Sequence, residues 1–308
     1  MKKCLNRVTV EGYLYQHTLA LKTVQDKNSD NFGKEFINGT IEVATDEEGL
    51  NIIPVRYTYV TATTKTGATN KTYTVLKSII DGANTWLQNG KDLALKVKCD
   101  TSFALNDFYA KDGSPVSQMV QEGGFISTVN TLSAPEDRNK FEIDLFITNF
   151  SRVEADEEKG TPEFGKIRAA GFNFRNDILP MNFILKNPKG LDYIEGLDIS
   201  GSNPVFTKCW GKINHTTTKV NKVEESAFGE AVVTSYDRKV KEWVITNMSP
   251  TFYDFGDENI LTANDIQTAL QNREVLLAEV KQRSDAYKAS TAAAPVVTPS
   301  ASTTAFNF

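Results

Sequence analysis

From residue 5 to about residue 250, apolar side chains alternate with polar ones more often than they recur at helical spacing. The segments Arg7–Tyr15, Phe36–Ala44, Ile52–Ala62 and Leu93–Thr101 are rich in Val, Ile, Thr and Tyr, and each predicts a strand. Turn-forming clusters such as Asp46–Gly49 and Asp112–Ser114 separate strands. A short helix is predicted at Lys77–Gln88, stopped by Asn89-Gly90. After Pro250 the period changes. Thr262 with Asp265 three residues on forms a helix start, and Ile266, Ala269, Leu270, Leu277 and Val280 form an apolar stripe running to about Lys288. Residues 289–308 carry no charged side chain and are rich in Ala, Ser, Thr and Pro, which predicts a disordered tail ending in Phe306-Asn307-Phe308.

The chain also resembles itself. Gly39-Thr40-Ile41-Glu42-Val43-Ala44 matches Gly165-Lys166-Ile167-Arg168-Ala169-Ala170 at an offset of 126 residues. Fifteen residues after each glycine stands a proline in a strand-like run, Pro54 and Pro180. Val97-Lys98-Cys99 has its counterpart in Thr207-Lys208-Cys209 at an offset of 110. Each half then reads strand–strand–strand–short helix–strand–strand, the order of a five-stranded OB-fold barrel. The prolines cannot donate to a ladder, so each belongs at an edge or bulge. The expectation is an all-β dominated chain of two tandem OB-like barrels, 1–135 and 136–250. A linker with a C-terminal helix follows over 251–288, and the disordered tail occupies 289–308.

Composition narrows the function. At 308 residues, 40% hydrophobic and 24% charged, the chain has the make-up of a soluble globular protein, and no run approaches the roughly 20 apolar residues that span a bilayer. The first residues lack the apolar core of a secretion signal, and Cys4, Cys99 and Cys209 are too scattered for a disulfide framework or zinc site. A reducing cytoplasm is the expected location. Gly160–Lys166 has the spacing of a phosphate-binding loop, but Ile167 stands where Ser or Thr is needed and a strand is predicted next. With only His17 and His215, one per half, imidazole-based chemistry has little to work with. No enzyme, metal or cofactor is expected.

The net charge of −5 argues weakly against a nucleic-acid partner, although a local basic groove outweighs the sum. Arg56–Lys77 is such a stretch. It carries Arg56, Lys65, Lys71 and Lys77, interleaves Tyr57, Tyr59 and Tyr73, includes eight threonines and has no carboxylate. Cations neutralise phosphates, and tyrosine faces stack on unpaired bases of any sequence. The expected geometry is a long arm over Thr61–Thr74; the competing reading is a Thr-rich hairpin whose lysines keep a sheet edge soluble. Ile199–Val223 is also acid-free, with Lys208, Lys212, Lys219, Lys222, Trp210 and His215. Arg168, Phe172 and Phe174 share one face of the predicted second strand of that half, as platforms and a cation or as core with a rim arginine.

The opening Asn6-Arg7-Val8-Thr9-Val10-Glu11-Gly12-Tyr13-Leu14 resembles the first strand of bacterial and phage single-stranded DNA-binding proteins of the OB type. Asn89-Gly90-Lys91, the strand around Val97, and Tyr109 with Lys111-Asp112-Gly113 resemble that family's later strand and turn. The resemblance covers about 1–132 directly. It implies sequence-independent binding of single-stranded DNA in replication or recombination, in a phage-type version acting in the host cytoplasm. The family's aromatic tail tip suggests that Phe306 and Phe308 would contact replication proteins, although this tail lacks the family's acidic residues. Two linked copies supply two surfaces in one chain, compatible with a monomer. The alternative is a structural or protein-docking barrel within a virion or tail assembly.

Overall fold

In a computed structural model the described residues are 4–110, 112–156, 161–224, 228, 232–254 and 262–292. The tail tip, Phe306 and Phe308, and the side chains of Lys219 and Lys222 lie outside them.

The first half contains β1 (Asn6–His17), β2 (Ala20–Thr23), β3 (Glu35–Ala44), β4 (Ile52–Thr61), α1 (Lys71–Ile80), α2 (Trp86–Asn89), β5 (Lys96–Tyr109) and β6 (Pro115–Thr128). β1 pairs with β3 and β5, β3 with β4, and β5 with β6, all antiparallel. A parallel contact of Val55 with Gln121 and Arg56 with Glu122 joins β4 to β6 and closes the ring. The second half repeats the scheme with β7 (Asn139–Val153), β8 (Phe164–Phe172), β9 (Ile178–Leu185), α3 (Pro188–Glu195), β10 (Val205–Glu224) and β11 (Val232–Met248). β7 pairs with β8 and β10, β8 with β9, β10 with β11, and a parallel contact of β9 with β11 closes the ring. Two tandem OB-like barrels result, followed by α4 (Ala263–Ala292).

Register shows how deep the repeat runs. Tyr13 and Leu14 face Ala44 and Val43 before a bulge, after which Gln16 faces Glu42. Phe146 and Ile147 face Ala170 and Ala169 before a bulge, after which Asn149 faces Arg168. The bulge falls at the same place in both barrels, bending the first strand around its own sheet. Val10 faces Cys99, and Ile143 faces Cys209. The two prolines are not equivalent: Pro54 faces Glu42, whereas Pro180 faces Ala170, two positions out of step. Each precedes the parallel closing pairs of its strand, where a missing N–H is tolerated.

Both inter-strand helices begin at an asparagine whose side chain accepts from the first turn, Asn70 from Thr72 N and Asn187 from Gly190 N. α1 starts six residues earlier than the sequence pattern predicts and runs through Lys71, Tyr73 and Lys77. Its β-branched and aromatic residues read as strand. The cap, and burial of Thr72, Leu76 and Ile79 at i, i+4 and i+7, override that local preference. The expected long arm is therefore a tight turn bridged by Thr63 and Thr69, followed directly by helix.

The barrels are not independent beads. β1 also pairs with β7 from Asn6–Ile143 to Val10–Asn139, so the eleven strands among the described residues form one sheet. Strand β1 is buried on both faces over Val10–Leu14: Val10 and Leu14 lie in the core, while on the other face Glu11 is covered by Ser133 and Tyr13 by Trp86. Phe103 of the first barrel packs 5.3 Å from Phe141 and 6.1 Å from Phe183 of the second, ring centre to ring centre, within one continuous core. Asn6 donates to the carbonyls of both Phe103 and Phe172, tying β1 to a strand of each barrel. Buried Arg138 reaches the Ser133 carbonyl at 2.7 Å and Glu47 at 2.7 Å, and its hydrogen bond, together with that of Lys91, holds the Glu47 carboxyl down to about 2.

A second seam joins the start of β4 to β10. Asn51 accepts from His215 N at 2.7 Å and donates to the Ile213 carbonyl at 3.3 Å. The His215 imidazole is buried edge-on against Trp243, 5.4 Å between ring centres, and neither ring nitrogen has a hydrogen-bond partner among the described residues. Burial first, and Lys241 second, push its pKa down to about 4.

α4 opens with a reciprocal capping box: Asp265 N donates to Thr262 Oγ1 at 3.2 Å, and Thr262 N donates to Asp265 Oδ2 at 2.9 Å. Ile266 and Ala269 pack into a small apolar cluster with Cys4, Phe172, Ile178 and Phe206. Leu270, expected in the stripe, faces solvent. The inward position one turn on from Ala269 is Arg273, which donates to Asp107 at 2.9 and 3.3 Å and to Ser117 at 3.0 Å. No helix among the described residues is long and apolar enough to cross a membrane.

Candidate nucleic-acid interface

A wide groove runs between the first barrel, the β8–β9 turn of the second and α4. Its volume is about 1020 Å³, and it is continuous with a recess of about 740 Å³ beside the β4–α1 turn. Thr58, Tyr59, Gly123, Gly124 and Phe125 line both.

Three aromatic rings stand open along this path. Tyr59 on β4 is 46% exposed and leans on Phe36 of β3, with ring centres 4.7 Å apart. Phe125 on β6 is 75% exposed and Phe174 in the β8–β9 turn 68%. Folding hides rings of this size unless something keeps them out, and here backbone geometry does so. Gly123 and Gly124 have φ of 68° and 80°, and a β-carbon on Gly124 would lie 1.9 Å from the Asp100 carbonyl oxygen. This bulge, opposite the register shift between Asp100 and Ser102, precedes Phe125 on the outer surface. Phe174 is held by an Asx turn: Asn173 Oδ1 accepts from the backbone N–H groups of Arg175 and Asp177 at 2.8 and 3.0 Å. The Arg175 guanidinium lies 5.1 Å from the Phe174 ring centre.

Cations accompany the rings. Lys34 and Lys65 flank the recess, while Arg7 and Arg175 line the groove. Acids are present too, each with a partner. Asp107 is held by Arg273, Glu122 accepts from Thr58 at 3.1 Å, and Asp100 accepts from Thr9 at 3.0 Å and Arg7 at 3.4 Å. Asp177 accepts from Asn173 at 2.9 Å. Flat rings spaced by cations suit a polyanion with exposed flat bases.

A family model described as YorF matches residues 5–283. The chain belongs to the YorF family. The match spans both barrels and α4 through Arg283. No curated protein matches the chain. Among solved structures, a deletion mutant of the single-stranded DNA-binding protein from Thermus aquaticus is 13% identical, with 84% of this chain and 100% of that chain covered and a TM-score of 0.47.

In this YorF-family chain the residues singled out from sequence fall into three groups. Tyr59, Lys65 and Phe174 lie on the groove or its recess. Two expected platforms are core instead: Tyr57 is fully buried inside the first barrel against Cys99, and Phe172 is fully buried in the cluster covered by α4. Arg168 shares the strand face of Phe172 but projects beyond that cover into solvent. Tyr73 is half-buried against the barrel core, Lys71 is exposed on α1, and Lys77 is bonded to Asp81 one helical turn on. Arg56 bonds Asn106 at 2.6 Å and sits 3.9 Å from Glu122.

The third group lies on the second barrel. Lys208 pairs with Glu142 at 3.0 Å and rests 5.6 Å from the Trp210 ring centre. Trp210 and Lys212 line a smaller pocket of about 390 Å³ with Arg7 and Lys140, against the β1–β7 seam. A segment free of acids in sequence is thus not free of them in space. Sequence reasoning missed Phe36, Lys34 and Phe125. The first two carry no local signal; the third stands beside Gly-Gly inside a strand, which marks a bulge.

Proposed function

We propose that this chain binds single-stranded DNA without sequence preference, along the groove. The observation that carries this reading is the row of open rings, Tyr59, Phe125 and Phe174, interleaved with Lys34, Lys65, Arg7 and Arg175. Stacking on a ring is available only to unpaired bases and is indifferent to their identity. The cations neutralise phosphates and make binding sensitive to salt. No reaction and no cofactor are needed for this task. It fits a protein that covers transiently unpaired DNA in replication or recombination, in a phage-type version of the OB plan, working in the cytoplasm, where two linked barrels are compatible with a monomer. The second barrel extends the surface through Trp210, Lys208 and Lys212, and Arg168 and Lys71 add outlying positive charge.

Fluorescence anisotropy with labelled oligo-dT, an unlabelled duplex competitor and two salt concentrations tests this. Binding of the single strand, weak competition by duplex and a steep loss of affinity with salt are expected. Absence of binding, or equal affinity for duplex, would overturn it and favour a protein-docking barrel.

A further inference from the structure

α4 grips the two barrels with different chemistry on either side of the groove. Its anchor is apolar and belongs to the second barrel: Ile266 and Ala269 sit on Ala170, Phe172, Ile178 and Phe206. One turn further on, about 6 Å along the axis, it holds the first barrel by a buried polar contact. There the Arg273 fork spans both oxygens of Asp107 and reaches Ser117, whose hydroxyl also bonds Asp107 at 2.5 Å. The side chains of Arg273 and Asp107 are only 10% and 6% exposed. On either side of the latch, Asn272 and Leu276 form part of the groove wall. Beyond the latch, Leu277, Val280 and Ser284 are half-buried, and Lys288 comes close enough to Asp112 in the β5–β6 turn to add to the Ser114 hydrogen bonds that hold its carboxyl below the usual range.

We infer that α4 is a strap over the groove, and that the Arg273–Asp107–Ser117 latch sets how long a bound strand is retained. The inference rests on the reading of the groove as a single-strand site. An apolar seat of two side chains keeps the helix attached to the second barrel while the latch parts, so the groove wall swings instead of the protein coming apart. The latch is well suited to this. A desolvated ion pair gains little net stability when closed, so it can part and re-form at modest cost, while the two-pronged Arg273–Asp107 geometry fixes where the wall sits when it is closed. Arg273 is a positioning residue: it holds the wall in place through Asp107, and the rings and cations of the groove do the binding.

The test is displacement of labelled oligo-dT from the full chain by unlabelled excess in a stopped-flow instrument. Arg273→Met keeps the side-chain stem without the charge, and Asp107→Asn keeps the shape of its partner. Each is expected to speed release about tenfold while association changes less than about twofold, the pattern of a lost retaining contact. Arg273→Lys, which keeps the charge but not the fork, should fall in between. The double variant Arg273→Met/Asp107→Asn leaves no stranded charge and should unfold at a temperature close to wild type, yet still release quickly. Hydrogen exchange in the absence of DNA gives a second readout, with faster exchange in 266–280 of the variants and unchanged barrel strands. Wild-type release rates in folded variants, or unchanged exchange in α4, would overturn the strap. Failure of the wild-type chain to bind oligo-dT would instead overturn the functional reading beneath it.

Discussion

The two barrels share a plan and differ at the position where the groove is made. In the first, Cys99 and Asp100 face Ile126 and Phe125; in the second, Cys209 and Trp210 face Met248 and Asn247. Phe125 and Asn247 are therefore structural counterparts. Each copy carries one extra residue on its last strand just before these positions, but the interrupted stretch is Gly123-Gly124 opposite Thr101 in the first and Thr246 in the second. The glycine pair, with the left-handed backbone that glycine adopts easily, accompanies an outward ring in the first copy. The second barrel carries its aromatic, Trp210, on the neighbouring strand, half-buried beneath Lys208. It also lends Phe174 and Arg175 to the groove of the first. Duplication has here produced one large composite surface and one small one, with the chemistry concentrated where the copies diverge.

The strongest way to break this comparison is to remove rings from one copy. Phe125→Ala with Phe174→Ala should weaken oligo-dT binding by about 2–6 kcal/mol, two stacks at about 1–3 kcal/mol each, while Asn247→Ala leaves it unchanged within about 0.5 kcal/mol. Anisotropy titrations decide, and equal losses from both would erase the asymmetry.

The seam between the copies carries the next effect. His215 is held below its ordinary pKa, so the folded state favours the neutral ring. That contribution is complete above about pH 6.5 and is lost as pH falls toward 4, up to about 3 kcal/mol. Denaturant unfolding at several pH values should show the decline, and His215→Phe should flatten it between pH 6.5 and 4.5. Glu47 acts in the same direction at lower pH, more weakly because its side chain is 40% exposed.

Gly124→Ala should cost about 1–3 kcal/mol, measured by thermal unfolding, because a side chain there meets the backbone of β5. Thr246→Ala, at the single-residue bulge of the other copy, should cost less. The smallest effect concerns charge: Lys65→Ala should reduce the slope of log affinity against log salt by about 0.7, one phosphate contact on a single strand. Lys77→Ala, already occupied by Asp81, should leave that slope alone.

Much of the architecture was legible. The alternation located the main strands, and the glycine-to-alanine hexamers lie in register opposite matching bulges. Thr262 with Asp265 capped a helix as read. What misled was local reading of residues with two meanings. Lys71-Thr72-Tyr73-Thr74-Val75 has strand composition but is helical, because Leu76 and Ile79 are buried on the barrel. The two prolines matched in sequence but stand two positions apart in register, since spacing along a chain does not fix which residue a neighbouring strand presents.

The site was harder to see than the fold. Tyr57, Tyr59 and Tyr73 are alike in sequence, yet one is core, one open and one half-covered, because burial depends on which strand or helix lies over each face. Arg273 could not be recognised from its own helix, since Asp107 is far away along the chain. By itself the sequence determined the repeated order of five main strands, the duplication, the cap of the last helix and the aromatic and basic inventory, all of which follow from short-range periodicity and hydrogen bonding. Only the tertiary structure decided which rings are open, which lysines are already paired and how α4 joins the barrels, because exposure and charge pairing are properties of neighbours brought together by folding.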